Sequence, residues 1–133
     1  MSGESTQDLI DSHILARAFS EFPTSHGDHY PPFQTADDVL TQLRPFLANE
    51  AAKINDYGHT STTLSRLEAT GKKATWNKSL SGAKASETED SKWIFYFQAI
   101  HSQDRFVVGY SDGKVSNHHK SELQDILKNP VKN

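Results

Sequence analysis

Apolar positions in the first part of the chain recur every three to four residues, the spacing of a helix that buries one side. The first such stripe runs from Ile10 to Phe22 and predicts a helix that begins near Ser5. Pro23 should end this helix, because proline lacks the N–H that the next turn needs. Residues 23–34 hold three prolines, a glycine and short polar side chains, so they are predicted to form an irregular connector.

A second apolar stripe follows Thr35 and predicts a second helix. Thr35 and Asp38 have the spacing of a capping box, in which each side chain bonds the backbone N–H of the other residue. Gly58 supplies the left-handed residue that commonly ends a helix. Pro45 lies too deep for a first-turn proline, so it predicts a kink or a restart just before it. The helical part of the chain therefore covers about residues 5–58.

The stretch over residues 62–80 fits two patterns. As a helix it offers only two leucines as anchors and is rich in threonine. As a hairpin with Gly71-Lys72 in a two-residue turn, it puts its apolar residues on one face, with Leu67 opposite Trp76. The sequence therefore predicts two strands here. A polar loop over residues 81–91 follows, and we expect it to be mobile or to order on a partner.

Residues 92–111 form a ribbon that is apolar on both of its alternating faces. The tetrapeptide HSQD, residues 101–104, predicts a hairpin loop, which places Phe97 opposite Val108 and Tyr96 opposite Gly109. One face is then almost wholly apolar and is predicted to face the core. That inner face carries Trp93, Phe95, Phe97, Ala99, Phe106, Val108 and Tyr110.

The opposite face of this ribbon is mixed rather than polar, and it is the main functional clue. Antiparallel sheets usually keep one face packed and one face in water, so an apolar outer face indicates a contact surface. Its mixture of tyrosine and aliphatic residues beside arginine and glutamine is typical of an interface centre. The alternative is that a loop, the connector or the last helix covers this face. The candidate interface residues are Ile94, Tyr96, Gln98, Ile100, Arg105 and Val107.

The end of the chain predicts a turn at Asp112-Gly113, a short strand and a helix over about residues 118–129 that Pro130 ends. The sheet part then covers about residues 62–116. The order of elements predicts an α+β fold of two layers, in which N-terminal helices and a C-terminal helix pack on an antiparallel four-stranded meander. A length of 133 residues suits a single domain over 1–133.

Composition narrows the class of protein. The chain contains no cysteine, which excludes disulfides and thiolate metal sites. Its N-terminus has neither the basic start nor the apolar segment of a signal peptide. No apolar run approaches the roughly 20 residues that a membrane span needs. These features predict a soluble protein of the cytoplasm or the nucleus, and no motif implies a cofactor.

The formal net charge is −3, but the charge is unevenly spread. Residues 1–60 hold nine acidic and three basic side chains, whereas the remainder holds eight acidic and eleven basic ones. A basic segment around Trp76 could follow a phosphate backbone. A hairpin edge studded with lysine, which discourages edge pairing, explains the same residues and makes nucleic acid the weaker prediction. The segment comprises Arg66, Lys72, Lys73, Lys78 and Lys84.

Seven histidines are scattered along the chain. Residues 26–29, HGDH, put two imidazoles and a carboxylate close together, and such groups suit zinc. The spacing matches no established site, so no metal is predicted. His118-His119 at the start of the last helix, and His101 with Asp104 at the hairpin tip, are candidates for acid–base work. Exposed turns and helix ends are the commoner explanation of these residues.

Two classes of function remain open. The first is a protein-interaction module, in a homodimer or a larger assembly, that uses the outer face of the 92–111 hairpin. The second is a small enzyme or ligand-binding protein with an apolar pocket between the helices and a curved sheet. Such a pocket would be lined by Trp93, Phe95, Phe97, Tyr110 and Tyr57, with His13 or His59 as the acid or base.

Overall fold

Helices precede a small sheet and one helix follows it, as the order of apolar patterns predicts. The computed structural model describes residues 3–54, 60–88, 92–99 and 103–128. Within those ranges there are four α-helices: α1 (Gly3–Ser25), α2 (Ala36–Ile54), α3 (Thr60–Lys73) and α4 (Lys120–Lys128). The strands are β1 (Thr75–Trp76), β2 (Trp93–Gln98), β3 (Arg105–Tyr110) and β4 (Val115–His119).

The four strands form one antiparallel meander in the order β1-β2-β3-β4. Helices α1, α2 and α3 contact one another, α1 also lies against β3 and β4, and α4 contacts the same two strands. The predicted α+β fold, with N-terminal helices and a C-terminal helix on an antiparallel four-stranded sheet, is therefore confirmed.

The core lies between α1 and the sheet and is rich in aromatic rings that contact one another. Phe19 of α1 is fully buried, and its ring centroid lies 4.8 Å from that of Tyr30 and 6.1 Å from that of Trp76. The Trp76 ring in turn lies 4.9 Å from the ring of Phe95. Aromatic pairs at such separations add to the stabilisation from area burial. The inner side of β1 and β2 is thus fixed against the helices.

Two prolines interrupt their helices less than the sequence predicts. Helix α1 continues past Pro23 to Ser25, and its end is marked by Gly27 in the left-handed region with φ of 67°. A proline in the last turn removes only one helical hydrogen bond, so it need not end the helix where it stands. Helix α2 is continuous through Pro45, so the predicted restart is wrong.

The predicted capping box begins α2. The Thr35 hydroxyl accepts from the Asp38 amide at 3.2 Å, and the Asp38 carboxylate accepts from the amides of Thr35 and Gln34 at 3.2 and 3.0 Å. These amide bonds, first that from Gln34, lower the pKa of the Asp38 carboxyl below its ordinary value.

The hairpin predicted over residues 62–80 is wrong, because most of this stretch is helix α3 and only Thr75–Trp76 is strand. Leu67 and Gly71 are buried at helical spacing against α2. Gly71 is a contact point rather than a turn, since a Cβ built there would lie 2.5 Å from Cδ2 of Leu40. The Trp76 indole N–H donates to the Gly71 carbonyl at 2.9 Å, which ties β1 to the end of α3.

The described part of the polar loop, residues 81–88, packs on the connector instead of standing free. The Tyr30 amide donates to the Ala83 carbonyl at 2.9 Å, and the Ala85 amide donates to the Asp28 carbonyl at 2.7 Å. His29 and Lys84 form an isolated antiparallel bridge between these bonds. This segment therefore has a partner within the chain.

The pairing of β2 with β3 differs by one residue from the predicted register. Phe97 lies opposite Val107, and the Ala99 amide donates to the Arg105 carbonyl at 3.0 Å. Five residues, 100–104, therefore separate the paired residues Ala99 and Arg105, whereas the predicted loop has four. A one-residue change reverses the faces of a strand, so Val107 turns inward while Phe106 and Tyr110 turn outward.

A second irregularity lies at the start of β2. The register shifts between Trp93 and Phe95, which is a β-bulge. Ile94 and Phe95 are both fully buried, whereas Trp93 is half-buried and its ring lies 5.6 Å from that of Tyr96. The bulge therefore turns Trp93 to the outer side of the sheet, opposite to its predicted position.

Candidate functional site

The six predicted interface residues do not lie together. Tyr96 and Gln98 are on the outer face, half-buried and exposed respectively. Ile94 and Val107 belong to the buried core cluster, so their predicted outward position is wrong, for the register and bulge reasons given above. Arg105 is exposed on the Val107 side of β3, where its Nε donates to Asn117 Oδ1 at 2.7 Å. Ile100 lies outside the described residues.

The outer face of the sheet carries four aromatic side chains that are only half-buried. We call this set the aromatic face; it consists of Trp93, Tyr96, Phe106 and Tyr110. The Tyr96 ring contacts Trp93 at 5.6 Å and Phe106 edge-to-face at 6.0 Å, and Trp93 pairs with Tyr110 across the strands. The face is therefore a connected group of rings rather than a set of isolated exposed residues.

Alternation along the strands explains which residues accompany these rings. Val108 lies between Phe106 and Tyr110 on the same side of β3, pairs with Ser116 of β4 and is fully buried. His118 lies opposite Phe106. The aromatic face thus borders a polar pair on β4.

A chain of hydrogen bonds joins this polar pair to the aromatic face and to α4. His118 Nε2 lies 3.0 Å from the Tyr110 hydroxyl and 2.5 Å from the Ser116 hydroxyl. The Ser116 hydroxyl also lies 3.3 Å from that of Tyr110. His118 Nδ1 lies 3.3 Å from a carboxylate oxygen of Glu122. We call these four residues the hydroxyl–imidazole cluster.

The junction between β4 and α4 places Glu122 in this cluster. Helix α4 begins at Lys120, directly after His119, so the predicted helix start at His118 is wrong and His118-His119 end the strand. His119 Nδ1 accepts from the Ser121 amide at 3.1 Å and thereby caps the helix. The Glu122 carboxylate accepts from the His119 amide at 3.3 Å and can reach His118 from the first turn.

The surroundings of Tyr110 and Glu122 in the cluster determine the protonation state of each at neutral pH. Burial raises the pKa of the Tyr110 hydroxyl above its ordinary value, against an opposing bond from Ser116. The bonds from His118 and then from the His119 amide lower the pKa of the Glu122 carboxyl. Tyr110 therefore remains a proton donor, and Glu122 remains a carboxylate.

Two open cavities lie near these elements. One of about 260 Å³ adjoins the cluster and is lined by Tyr110, Lys114, Val115 and Ser116. The other, of about 510 Å³, lies between two short 3-10 helices, Lys78–Leu80 and Ala85–Glu87, and the start of β2; its lining includes Lys84, Glu87 and Lys92. Only the first cavity touches the hydroxyl–imidazole cluster.

The described histidines outside the cluster do not converge. His26 bonds the Phe22 carbonyl at 3.0 Å, and His29 bonds the Gly82 carbonyl at 2.9 Å, so each fixes backbone. Among the described residues, no group of three or more histidine, aspartate or glutamate side chains could hold a metal ion. His13 is exposed, as its position off the apolar stripe predicts. His59, His101 and Tyr57 lie outside the described residues.

The predicted inner pocket is not formed by its described members. Phe95 and Phe97 are buried in the core, whereas Trp93 and Tyr110 lie on the other side of the sheet. His13 is exposed and cannot act inside such a pocket. A pocket lined jointly by these residues is therefore excluded.

The basic segment is divided between α3 and the following turns. Arg66 pairs with Asp11, from Nε to Oδ2 at 3.1 Å, and Lys73 Nζ lies 5.0 Å from the ring centre of Phe97. Lys72, Lys78 and Lys84 are exposed. The Arg66 guanidinium thus pairs with a carboxylate of the same chain, which competes with any contact to a phosphate.

Comparison with known proteins gives no relative: no family model, no curated protein and no solved structure matches the chain. Among the described helices, none combines the length and the apolar character that a membrane crossing requires.

Sequence reasoning did not find the hydroxyl–imidazole cluster, although one signal for it was present. Ser116 and His118 stand two residues apart, so a strand through them places both side chains on one face. The sequence pattern instead predicts a strand that ends before His118 and a helix that includes this residue. A strand with this predicted end does not place Ser116 and His118 on one face.

Proposed function

We propose that the protein is an interaction module whose aromatic face binds a second copy of the chain. The observation that carries this proposal is the connected group of half-exposed rings of Trp93, Tyr96, Phe106 and Tyr110. Large aromatic side chains are enriched at the centres of protein interfaces, and they contribute most when a partner completes their burial.

Charge supports a second copy as the partner. The aromatic face and its exposed neighbours Thr75 and Gln98 carry no formal charge, so two copies can meet without like-charge repulsion at the centre. An isologous pair across a two-fold axis places rings against rings, in the offset or edge-to-face geometries that aromatic pairs favour. Gln98 at the margin can supply a polar rim.

The test is sedimentation equilibrium of the full chain over micromolar to millimolar concentrations. The expected wild-type result is a mass that rises from monomer to dimer. Tyr96→Arg, Phe106→Arg and the more conservative surface change Gln98→Arg should each shift the equilibrium toward monomer, because each places like charges opposite each other. Circular dichroism checks that each variant is folded.

Ile10→Arg is the matched control. Ile10 is a 37% exposed apolar residue on α1, away from the aromatic face, so the same gain of charge there should leave the equilibrium unchanged. A wild-type protein that stays monomeric throughout the range would overturn the proposal. A dimer that Ile10→Arg disrupts as strongly as Tyr96→Arg would overturn it as well.

A further inference from the structure

We propose that Ser116 is a nucleophile activated by His118, and that this site accepts an acyl group from an ester. The proposal does not require docking by the aromatic face, although Tyr110 belongs to both sites. It assigns chemistry to the hydroxyl–imidazole cluster, in which a hydroxyl, an imidazole and a carboxylate follow one another in hydrogen-bonding order.

The geometry supplies the two contacts that such activation needs. The Ser116 Oγ lies 2.5 Å from His118 Nε2, which is within reach for proton transfer. His118 Nδ1 lies 3.3 Å from Glu122 Oε1, and Glu122 is held by the His119 amide. A carboxylate on Nδ1 keeps the proton on that nitrogen and leaves Nε2 free to act as the base. Glu122 is thus a positioning residue.

Tyr110 offers a second donor beside the nucleophile. Its hydroxyl accepts from Ser116 Oγ at 3.3 Å and lies 3.0 Å from His118 Nε2, and the residue is half-buried. A protonated phenol at this distance can donate to a substrate oxygen that becomes negative as Ser116 attacks. Burial keeps this phenol protonated, because it disfavours the phenolate.

The step balances without any further reactant. The Ser116 oxygen forms a bond to the carbonyl carbon of the ester while its proton passes to His118 Nε2. The carbon–oxygen bond of the leaving alcohol then breaks, and the alcohol takes that proton. Water repeats the sequence on the acyl-serine, with His118 again as the base, and releases the carboxylic acid.

The neighbouring cavity indicates the class of ester. Its volume is about 260 Å³, and it is lined by Tyr110, Lys114, Val115 and Ser116. A space of this size and lining suits a short apolar acyl chain. We therefore expect acetyl and butyryl esters to react, and bulky acyl groups to react more slowly.

The test uses p-nitrophenyl acetate and p-nitrophenyl butyrate with the full chain. The expected result is acylation of Ser116, detected by mass spectrometry after trypsin digestion. Cleavage after Lys114 and Lys120 gives the peptide VSNHHK, in which Ser116 is the only hydroxyl. The adjacent peptide SELQDILK carries Ser121 and is an internal control that should remain unmodified.

Variants assign the roles. Ser116→Ala should abolish the acyl-peptide, and His118→Gln should slow its formation by about 10²–10⁴-fold, the usual contribution of a general base. Tyr110→Phe should slow it while leaving the protein folded. Glu122→Gln should slow it and also shift the ¹⁵N signals of the His118 ring toward the other tautomer, which a purely structural role would not do.

Several outcomes would overturn the proposal. They are an unmodified VSNHHK peptide in the wild type, equal modification of SELQDILK, or an acyl group on the corresponding peptide VANHHK of Ser116→Ala. Reaction rates measured at concentrations where the protein is monomeric keep this result separate from the docking test.

Discussion

The ring of Phe95 lies directly against the backbone of Gly109, its partner across β2 and β3. A Cβ built on Gly109 would come within 2.5 Å of the Phe95 ring. Gly109→Ala should therefore lower the free energy of unfolding by about 1–3 kcal/mol, the usual cost of overpacking a core. Urea denaturation followed by circular dichroism measures this change.

A second substitution tests the cause of that loss. Phe95→Leu creates space at the same point, so Gly109→Ala should cost less in the Phe95→Leu background than in the wild type. If Gly109→Ala lowers the free energy of unfolding equally in both backgrounds, contact with the Phe95 ring is not the reason that position 109 requires glycine.

The pair of Asp11 and Arg66 should contribute more to stability than the exposed ion pairs do. The Asp11 side chain is 3% exposed, and both of its oxygens lie within 3.2 Å of Arg66 Nε. Arg66→Met should cost about 1–2 kcal/mol, less than for a fully buried pair because water reaches the arginine.

Arg44→Met is the matched control, since Arg44 pairs with Glu68 at 2.7 Å but is 56% exposed. We expect a cost below about 1 kcal/mol there. Thermal or urea unfolding measures the loss of stability in each variant. Equal losses would contradict the prediction that the more buried ion pair contributes more.

Tyr110 should make stability fall in alkaline solution. Burial raises the pKa of its hydroxyl above the ordinary 10.0, so the folded protein holds this proton more tightly than the unfolded chain. The stabilisation is complete below the ordinary pKa and is lost as the pH rises through the raised one. Ultraviolet titration of tyrosinate should show a late step that Tyr110→Phe removes. If Tyr110→Phe instead removes a tyrosinate step near the ordinary pKa, the pKa of Tyr110 is not raised.

Glu122 should act in the opposite direction, in acid. Bonds from His118 and from the His119 amide lower the pKa of its carboxyl below the ordinary 4.5. Its stabilisation is therefore present above that value and is lost as the pH falls through the lowered one. The difference in melting temperature between wild type and Glu122→Gln should shrink as the solution is acidified. A difference that is constant with pH would argue against an ionised carboxyl.

Local patterns predict helices α1 and α2, but neither helix α3 nor the pairing of the strands. The apolar stripe of α1 and the Thr35–Asp38 cap depend on neighbours in sequence, and both are found in the structure. The register of β2 and β3 could not be read in the same way, because Ile94, Phe95, Val107 and Val108 make both faces apolar. Either register of β2 and β3, one residue apart, therefore places apolar side chains on the inner face, and the sequence pattern does not distinguish them.

The hairpin error had a different physical cause. Leu67 and Gly71 fit a helical stripe, but helix α3 also depends on the close approach of Gly71 to Leu40 in α2. Such a contact between distant residues is invisible to local pattern. The hydroxyl–imidazole cluster is similar, since Glu122 reaches His118 only because the strand passes into the helix without a loop.

The two tryptophans of the chain lie on opposite sides of one sheet. Trp76 is 7% exposed, with its indole bonded to Gly71, whereas Trp93 is half-buried among the outer rings. Their intrinsic fluorescence therefore contains two separable signals. An aqueous quencher such as iodide should dim Trp93 first, while the blue-shifted emission of Trp76 should persist until the protein unfolds.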